Sequence, residues 1–363
     1  MRQLGLSIYP EKSKKEDIFR YLEIGSKYNC KRIFTCLLSI NKSKEEIIDE
    51  FKEIHTYAKK LGYEIIVDIA PSVFSKLDIS YQDLSFFQQI NVDGLRLDVG
   101  FSGNEEALMT YNPYGLKIEI NMSNNVATLD TIMDYQPNEY LLCGCHNFYP
   151  HAYSGLEEDY FINCTKRFKK YGLRTAAFVT SQCEEGFGPW PVTQGLPTLE
   201  KHRFLPIDVQ IKHFVALGGI DDILVSNCYV TAEEWQKIEK VRLDVLNFNV
   251  QLHSNLPEIE RKIVLNELHI NRGDKSANMI RSSQPRFKYK GHHFALFNTP
   301  ALIKRGDIVV ESSEYGHYAG ELQIALKDME NSGKSNVVGR IVKQELFLLD
   351  YLKPWQKFIF TEE

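Results

Sequence analysis

Two runs of this sequence could bring acids into one pocket: Gly94-Leu95-Arg96-Leu97-Asp98-Val99-Gly100 and Leu116-Lys117-Ile118-Glu119-Ile120-Asn121. Each is an apolar stretch of strand length. Period-two alternation puts Arg96 with Asp98 on one face, and Lys117 with Glu119 and Asn121 on another. Two carboxylates flanking one bond are what glycoside hydrolysis needs, one protonated to donate to the leaving oxygen and one ionised to stabilise or attack the reacting carbon. A cation beside only one of them would separate their pKa values. The plainer reading of the same residues is an internal ion pair, Asp98 with Arg96 or Glu119 with Lys117, because an ionised carboxylate in an apolar strand is costly unless paired. A third acid, Asp68, precedes the turn Ala70-Pro71-Ser72.

The elements that must position these residues alternate. The spacing predicts strands at Leu4 to Tyr9, Arg32 to Leu38, Glu64 to Ile69, Gly94 to Val99, Leu116 to Asn121, Glu139 to Gly144, Leu173 to Thr180 and Asp222 to Asn227. Helices are expected after them at about Lys15 to Tyr28 (capped by Ser13), Ser43 to Leu61, Tyr81 to Gln89, Glu105 to Tyr111, Val126 to Tyr135, Glu157 to Tyr171, Ile207 to Leu217 and Ala232 to Leu252. Ser43-Lys44-Glu45-Glu46 reads as a capping box and Gly62 as a C-cap. Eight βα units in about 250 residues are the number and size of a TIM barrel. A doubly wound open sheet would use the same alternation, but no Gly-x-Gly-x-x-Gly turn follows the first strand. The link Ser181 to Pro206, with Gly186-Phe187-Gly188-Pro189-Trp190-Pro191, is too long for a tight turn and reads as an active-site loop.

Past His253 the helical period fades. Short runs at Val264 to Ile270, His293 to Phe297, Asp307 to Glu311, Glu321 to Ala325 and Gly339 to Val342 suggest a small all-β domain. The expected division is a barrel over 1–253 and a β domain over 257–363, with the seam at Ser254-Asn255-Leu256-Pro257.

In a barrel, polar residues at the C-terminal ends of strands read as functional. Those ends offer Ser7, Tyr9, Asp68, Arg96, Asp98, Glu119, Asn121, Thr180, Gln182, Ser226 and Asn227. The loop His146-Asn147-Phe148-Tyr149-Pro150 joins an imidazole, an amide and rings where a polyhydroxylated ligand would be stacked; a structured turn is the alternative. Trp190 could supply a sugar platform or simply pack. In the β domain, Arg281, Ser282, Ser283 and Arg286 could bind phosphate through guanidinium and hydroxyl donors, with a solvated basic strand as the duller option.

The totals narrow the class. The chain has 363 residues, 43% hydrophobic and 25% charged, with a net charge of -5, and no long block of one sign invites nucleic acid. No apolar run approaches the roughly 20 residues that span a bilayer, and charge arrives at Glu11-Lys12 before any signal-peptide core, so no membrane partner and a cytoplasmic protein are expected. Seven scattered cysteines suit reduced, buried thiols. Cys143-Gly144-Cys145-His146 has the wrong spacing for a metal knuckle, so no metal is expected.

The opening Leu4-Gly5-Leu6-Ser7-Ile8-Tyr9-Pro10, the two acid-bearing runs, His146 to Pro150, Arg281-Ser282-Ser283, Arg305-Gly306-Asp307-Ile308 and Tyr315-Gly316-His317-Tyr318-Ala319-Gly320-Glu321-Leu322 together resemble the bacterial 6-phospho-N-acetylmuramidase family over nearly the whole chain. The resemblance implies a TIM barrel followed by a cyclophilin-like β domain. It also implies cytoplasmic hydrolysis of MurNAc 6-phosphate-β-1,4-GlcNAc in peptidoglycan recycling, with no metal or organic cofactor.

On that basis Glu119 is expected to be the general acid and Asp98 its partner, with Asp68 and Asn121 orienting substrate. Tyr9, Arg96, His146, Asn147, Tyr149, Gln182, Trp190 and Asn227 are expected to contact substrate, and Arg281, Ser282, Ser283 and Arg286 the phosphate. Whether the reaction is retaining, inverting or assisted by the 2-acetamido group stays open. Two rivals remain: a sugar-phosphate isomerase or aldolase using Lys117 as base or Schiff-base lysine, and a non-enzymatic muropeptide or sugar-phosphate binder.

Overall fold

The computed structural model describes residues 1–38 and 42–363. Its first eight strands, β1 (Gln3–Ser7), β2 (Cys30–Cys36), β3 (Glu64–Ile69), β4 (Gly94–Leu97), β5 (Lys117–Asn121), β6 (Leu142–Cys145), β7 (Arg174–Val179) and β8 (Asp222–Val225), close in sequence order into a parallel barrel. The seam is the pairing of β1 with β8, Gln3 opposite Asp222 and Leu6 opposite Val225. The fold class is therefore the TIM barrel that the alternation predicts.

Local chemistry sets the connecting helices. Helix Lys44–Lys60 starts on the expected capping box, with the Ser43 side chain accepting from the Glu46 N–H and Glu46 reaching back. Gly62 follows it at φ 85°, a left-handed conformation that glycine enters without a Cβ penalty. Ser13 caps nothing: Lys15–Lys27 begins from Lys14 without a side-chain cap. The helix expected over 81–89 is shorter, Ser85–Gln89, and an unexpected one, Pro71–Lys76, precedes it, with Pro71 preorganised for a first helical turn.

The barrel interior is unusually charged. Barrels mostly fill this space with branched apolar side chains; here Arg32 bridges Glu119 and Asp222, Arg174 also holds Asp222, and Lys117 pairs with Glu64. Strands that carry such long side chains need room elsewhere. At Gly94 a Cβ would lie 2.6 Å from the Lys117 carbonyl and 2.7 Å from Ile66 Cδ1. The carbonyl belongs to the neighbouring strand and cannot yield, so Gly94→Ala is expected to destabilise the protein by about 1–3 kcal/mol, read as a lower urea midpoint at unchanged m.

The chain divides into two compact units, Met1–Phe214 with Gly218–Glu239, and Val215–Leu217 with Lys240–Glu363. This places the division ahead of the expected seam at 254–257. The helix expected over 232–252 stops at Glu239, and Leu246–Leu252 is a strand, β9. Its Leu246-Asn247-Phe248-Asn249-Val250 alternation is period two, and Leu246, Phe248 and Val250 face a core.

The second unit is mostly β. With β10 (His269–Ile270), β11 (Met279–Ser282), β12 (Leu302–Ile303), β13 (Asp307–Glu311), β14 (Leu322–Ala325), β15 (Met329–Glu330), β16 (Ser335–Ile341) and β17 (Lys357–Glu362), it forms a seven-stranded sheet in the order β10-β17-β9-β16-β13-β14-β11, and β12 pairs with β15. The β9–β17 pairing is parallel and the others in this unit are antiparallel. The run 264–270 is a strand only at its end, since Glu258–Asn266 is a helix, and 293–297 forms no strand. In the tail, Phe358 and Phe360 join the core built on Phe248, Val250 and Ile324.

Candidate active site

At the C-terminal end of the barrel the registers of β2, β3 and β4 set three polar side chains level. Cys36 lies opposite Asp68, and Asp68 opposite Arg96. Both Asp68 and Arg96 face the barrel interior, where Arg96 Nη1 donates to Asp68 Oδ1 and also lies 3.2 Å from Asp98 Oδ1, just past the end of β4. Arg96 Nη2 donates to Asn147 Oδ1. A cavity of about 120 Å³ opens over this group, lined by Asp68, Arg96, Asp98, Asn147, Trp190 and the rings of Phe34, Phe148 and Phe178. The three phenylalanines pack edge to face with centroids 5.1 to 5.9 Å apart and make an apolar wall.

The two aspartates differ in exposure. The side chain of Asp68 is 7% exposed and that of Asp98 33%. Burial pushes the Asp68 carboxyl up to about 7; Arg96 pulls the other way, while Asp98 and Glu119 add to the rise. Asp68 is thus shared between its protonated and ionised forms near neutral pH, as a group that gives and regains a proton requires. Cys36 Sγ, 3.9 Å from Asp68 Oδ2, is itself held neutral by burial.

Glu119 does not join this group. It is fully buried, and its Oε2 is held by Arg32 Nη2 and approached at 3.6 Å by the Cys143 thiol. In register Glu119 stands opposite Arg96 on one side as Asp68 does on the other, but its carboxylate is taken by Arg32 and not by Arg96. The carboxylate is held instead among the interior ion pairs, where Arg32 also meets Asp222. Among the described residues that line the cavity, Glu119 is absent. The ion pair considered as the plainer reading is the outcome, with Arg32 rather than Lys117 as partner. Lys117 is tied to Glu64 at the opposite end of the strands, which removes the lysine on which an aldolase reading depended.

The other expected contacts sort by what they touch. Arg96, Asn147 and Trp190 line the cavity. Asn121 braces it from behind: its Nδ2 donates to the Asp98 carbonyl at 2.9 Å and its Oδ1 accepts from Ser123 N–H. His146 points away from the barrel axis, between Ser123 and Thr165 and over Phe161, and burial drops its pKa to about 3, so it is a neutral structural imidazole. Tyr149 is half-buried, with its carbonyl accepting from Arg203. Tyr9 donates its hydroxyl to the Ser226 carbonyl and packs on Phe187. Gln182 and Asn227 are loop staples: Gln182 Nε2 donates to the Arg203 carbonyl at 3.1 Å, and Asn227 bonds Ser181 through both its amide oxygen and nitrogen. The long loop after β7 does bring Trp190, 37% exposed, to the cavity wall. Trp190→Ala is expected to raise KM about threefold to tenfold with little change in kcat, as loss of a stacking platform would, measured by steady-state kinetics.

In the second unit, Arg281 Nε donates to Glu321 Oε1 at 2.6 Å, Ser283 Oγ donates to Glu321 Oε2 at 2.9 Å, and Arg286 Nη1 lies 3.2 Å from the same oxygen. Glu321 is fully buried and neutralises part of this cationic cluster. Ser282 is elsewhere, buried against His269. Neither Nε nor Nη1 of Arg286 completes a hydrogen bond.

Of the three rings, Phe148 belongs to the loop that the sequence marks, while Phe34 and Phe178 are apolar rings in apolar strands and carry no signal that they will wall a site. Arg32 did carry one, since a cation in the apolar run Cys30–Cys36 needs a buried partner just as Arg96 does. Cys143 and Cys145 lie in the strand that crosses Glu119, and all seven cysteines are free thiols. Among the described residues no group of His, Cys, Asp and Glu could hold a metal ion. None of the described helices is long and apolar enough to cross a membrane.

A closed (β/α)8 barrel whose C-terminal mouth holds an arginine between two aspartates defines a TIM-barrel protein with its polar cluster at the face where such barrels carry their sites. Within that class, the chain belongs to the 6-phospho-N-acetylmuramidase family: the family's N-terminal model matches residues 4–240 and its C-terminal model residues 246–361. A crystal structure described as an uncharacterized B. cereus protein is 46% identical, with a TM-score of 0.92 and 99% of each chain covered. A conserved Enterococcus faecalis protein of unknown function shares the fold at 22% identity and a TM-score of 0.72, covering 99% of this chain and 96% of that one. Comparison with curated proteins gives no match. The family name indicates a glycosidase acting on a phosphorylated amino sugar.

Proposed function

We propose that this protein hydrolyses MurNAc 6-phosphate-β-1,4-GlcNAc to MurNAc 6-phosphate and GlcNAc, in the cytoplasm and in the course of peptidoglycan recycling, with Asp68 as general acid and Asp98 as the ionised partner. The observation that carries the reading is the single Arg96 nitrogen that meets both aspartates at the walled end of the barrel. Asp68, the more buried, protonates the glycosidic oxygen as the C1–O bond breaks, and GlcNAc leaves as an alcohol. Asp98 stabilises the positive charge that develops on the sugar, directly or through its 2-acetamido group, and Asp68 then takes a proton from the attacking water. Sharing one nitrogen keeps the two carboxylates' nearest oxygens within about 6 Å, two hydrogen-bond lengths, which favours a close pair over the wider spacing of inverting enzymes.

Arg96 holds both carboxylates and Asn147 orients Arg96, while Trp190 gives a face for a sugar ring. For the phosphate, the reading keeps Arg281, Ser283 and Arg286, which gather around the buried Glu321; Ser282 drops out because it is buried against His269, away from that cluster. The cyclophilin-like description of the second unit belongs to the same proposal. Incubation of the pure protein with the phosphorylated disaccharide and with its unphosphorylated twin tests the reading. Release of GlcNAc and MurNAc 6-phosphate from the first only is expected. Equal turnover of both would remove the phosphate site, and binding without turnover of either would favour a sensor.

A further inference from the structure

We propose that Ser123 is a positioning residue for the reaction assigned to the barrel mouth: oriented by His146, its hydroxyl fixes Asn147, and through Asn147 the Arg96 that joins the two aspartates. The inference deepens the glycosidase reading, on which it rests.

Asn147 lies just past the end of β6, where the barrel ladder runs out; the last main-chain bond of that edge goes from the His146 N–H to the Ala176 carbonyl at 2.9 Å. Side chains hold the next residue instead. The Asn147 N–H donates to Ser123 Oγ at 2.7 Å, and the Asn147 carbonyl accepts from Thr198 Oγ1 at 2.8 Å. Ser123 and Thr198 are buried and belong to the links after β5 and β7, the two neighbours of β6 in the barrel. What they clamp reaches the chemistry in one step, because Asn147 Oδ1 accepts from Arg96 Nη2 while Arg96 Nη1 meets both Asp68 and Asp98. A guanidinium is planar and rigid, so an amide that shifts at one nitrogen turns the fork that the carboxylates share.

The hydrogen bonds also fix where the Ser123 proton points. Thr165 Oγ1 donates to the Phe161 carbonyl at 2.9 Å, so toward His146 Nε2, 3.0 Å away, it accepts. His146 is neutral, its pKa dropped to about 3 by burial and then by Arg96. The single ring proton therefore sits on Nε2, and Nδ1 is an acceptor. Ser123 Oγ, 3.3 Å from Nδ1, donates there and keeps its lone pairs for the Asn147 N–H. The Tyr149 hydroxyl also bonds Ser123. The main chain of Ser123 serves the other aspartate: its N–H donates to Asn121 Oδ1 at 2.9 Å, and Asn121 Nδ2 donates to the Asp98 carbonyl. Removing the hydroxyl breaks the branch to Arg96 and leaves the branch to Asp98, so the two are separable.

The test is a double-mutant cycle of Ser123→Ala and Asn147→Ala on the full-length protein, read by steady-state hydrolysis of the phosphorylated disaccharide with Tm recorded for each variant. Ser123→Ala is expected to lower kcat about tenfold to a hundredfold with KM within about threefold. In the Asn147→Ala background the same substitution should cost less than about threefold, since no amide is left for it to position. A residue that only stabilises the fold would cost the same in both backgrounds. His146→Asn, which keeps an acceptor near the place of Nδ1, is expected to hold kcat within about fivefold, and His146→Leu to fall as far as Ser123→Ala. Spectra of the protein labelled with [15N]histidine read the network without catalysis, and His146 should be protonated on Nε2 alone. Wild-type kcat in Ser123→Ala, an equal loss in both backgrounds, or a His146 proton on Nδ1 would overturn the inference and leave the glycosidase reading standing; a wild type inert toward the disaccharide would bring down both.

Discussion

Asp68→Asn is expected to lower kcat on the phosphorylated disaccharide by about 10²–10⁴ while leaving the protein folded. Asparagine keeps an oxygen to accept from Arg96, so the contact at the mouth survives and only the exchangeable proton is lost. The same residue predicts the pH profile of the wild type. The general acid works only when protonated, and burial places its pKa near 7; kcat/KM should therefore hold below that value and fall about tenfold per pH unit above it. A rate that is flat from pH 6 to 9, or a variant with near-wild-type kcat, would take Asp68 out of the proton transfer.

The second large effect is expected in the barrel interior, on β2 and β5, and it is one of stability. Arg32 is buried and is the cation that holds Glu119. Arg32→Met leaves Glu119 buried without its partner, a change that costs about 3–5 kcal/mol and should lower Tm by on the order of 10 °C in a domain of this size. Asp222 suffers less because Arg174 also holds it. Glu119→Gln keeps an acceptor for Arg32 and leaves Asp222 to balance its charge, so a smaller loss of Tm and a kcat within a few-fold of wild type are expected. Thermal melts and steady-state rates on the pair separate the roles: a hundredfold loss of kcat in Glu119→Gln at unchanged Tm would return Glu119 to the chemistry.

The difference between Asp68 and Glu119 marks how far the sequence could be read. Strand count, parallel order and the Ser43–Glu46 cap follow from local patterns, and they came through. What placed Glu119 beside Asp98 in the reading was that both end apolar runs. Barrels stagger neighbouring strands, and the stagger is a property of closure that no single strand carries. Here the register sets Glu119 opposite Arg96 rather than Asp98, and within reach of Arg32. Asp68 was visible as an acid before a turn, but its raised pKa comes from a burial that only the tertiary fold creates, at a mouth walled by Phe34, Phe148 and Phe178 from separate elements. The helix expected over 232–252 failed for a different reason: Leu246–Leu252 alternates with period two, and a long helical pattern was carried across it. In the C-terminal cluster the donors Arg281, Ser283 and Arg286 were legible, while the Glu321 that ties them together lies on another strand edge some forty residues away.

The central claim is that Asp68 gives the proton and Asp98 supports the positive charge. It is tested most directly by comparing the disaccharide with an aryl β-glycoside of N-acetylmuramic acid 6-phosphate whose nitrophenolate leaving group needs no protonation. Asp68→Asn should be severely slowed on the disaccharide yet return to within about tenfold of the wild-type rate on the aryl glycoside, whereas Asp98→Asn should stay slow on both. Equal impairment of Asp68→Asn on the two substrates would contradict the assignment.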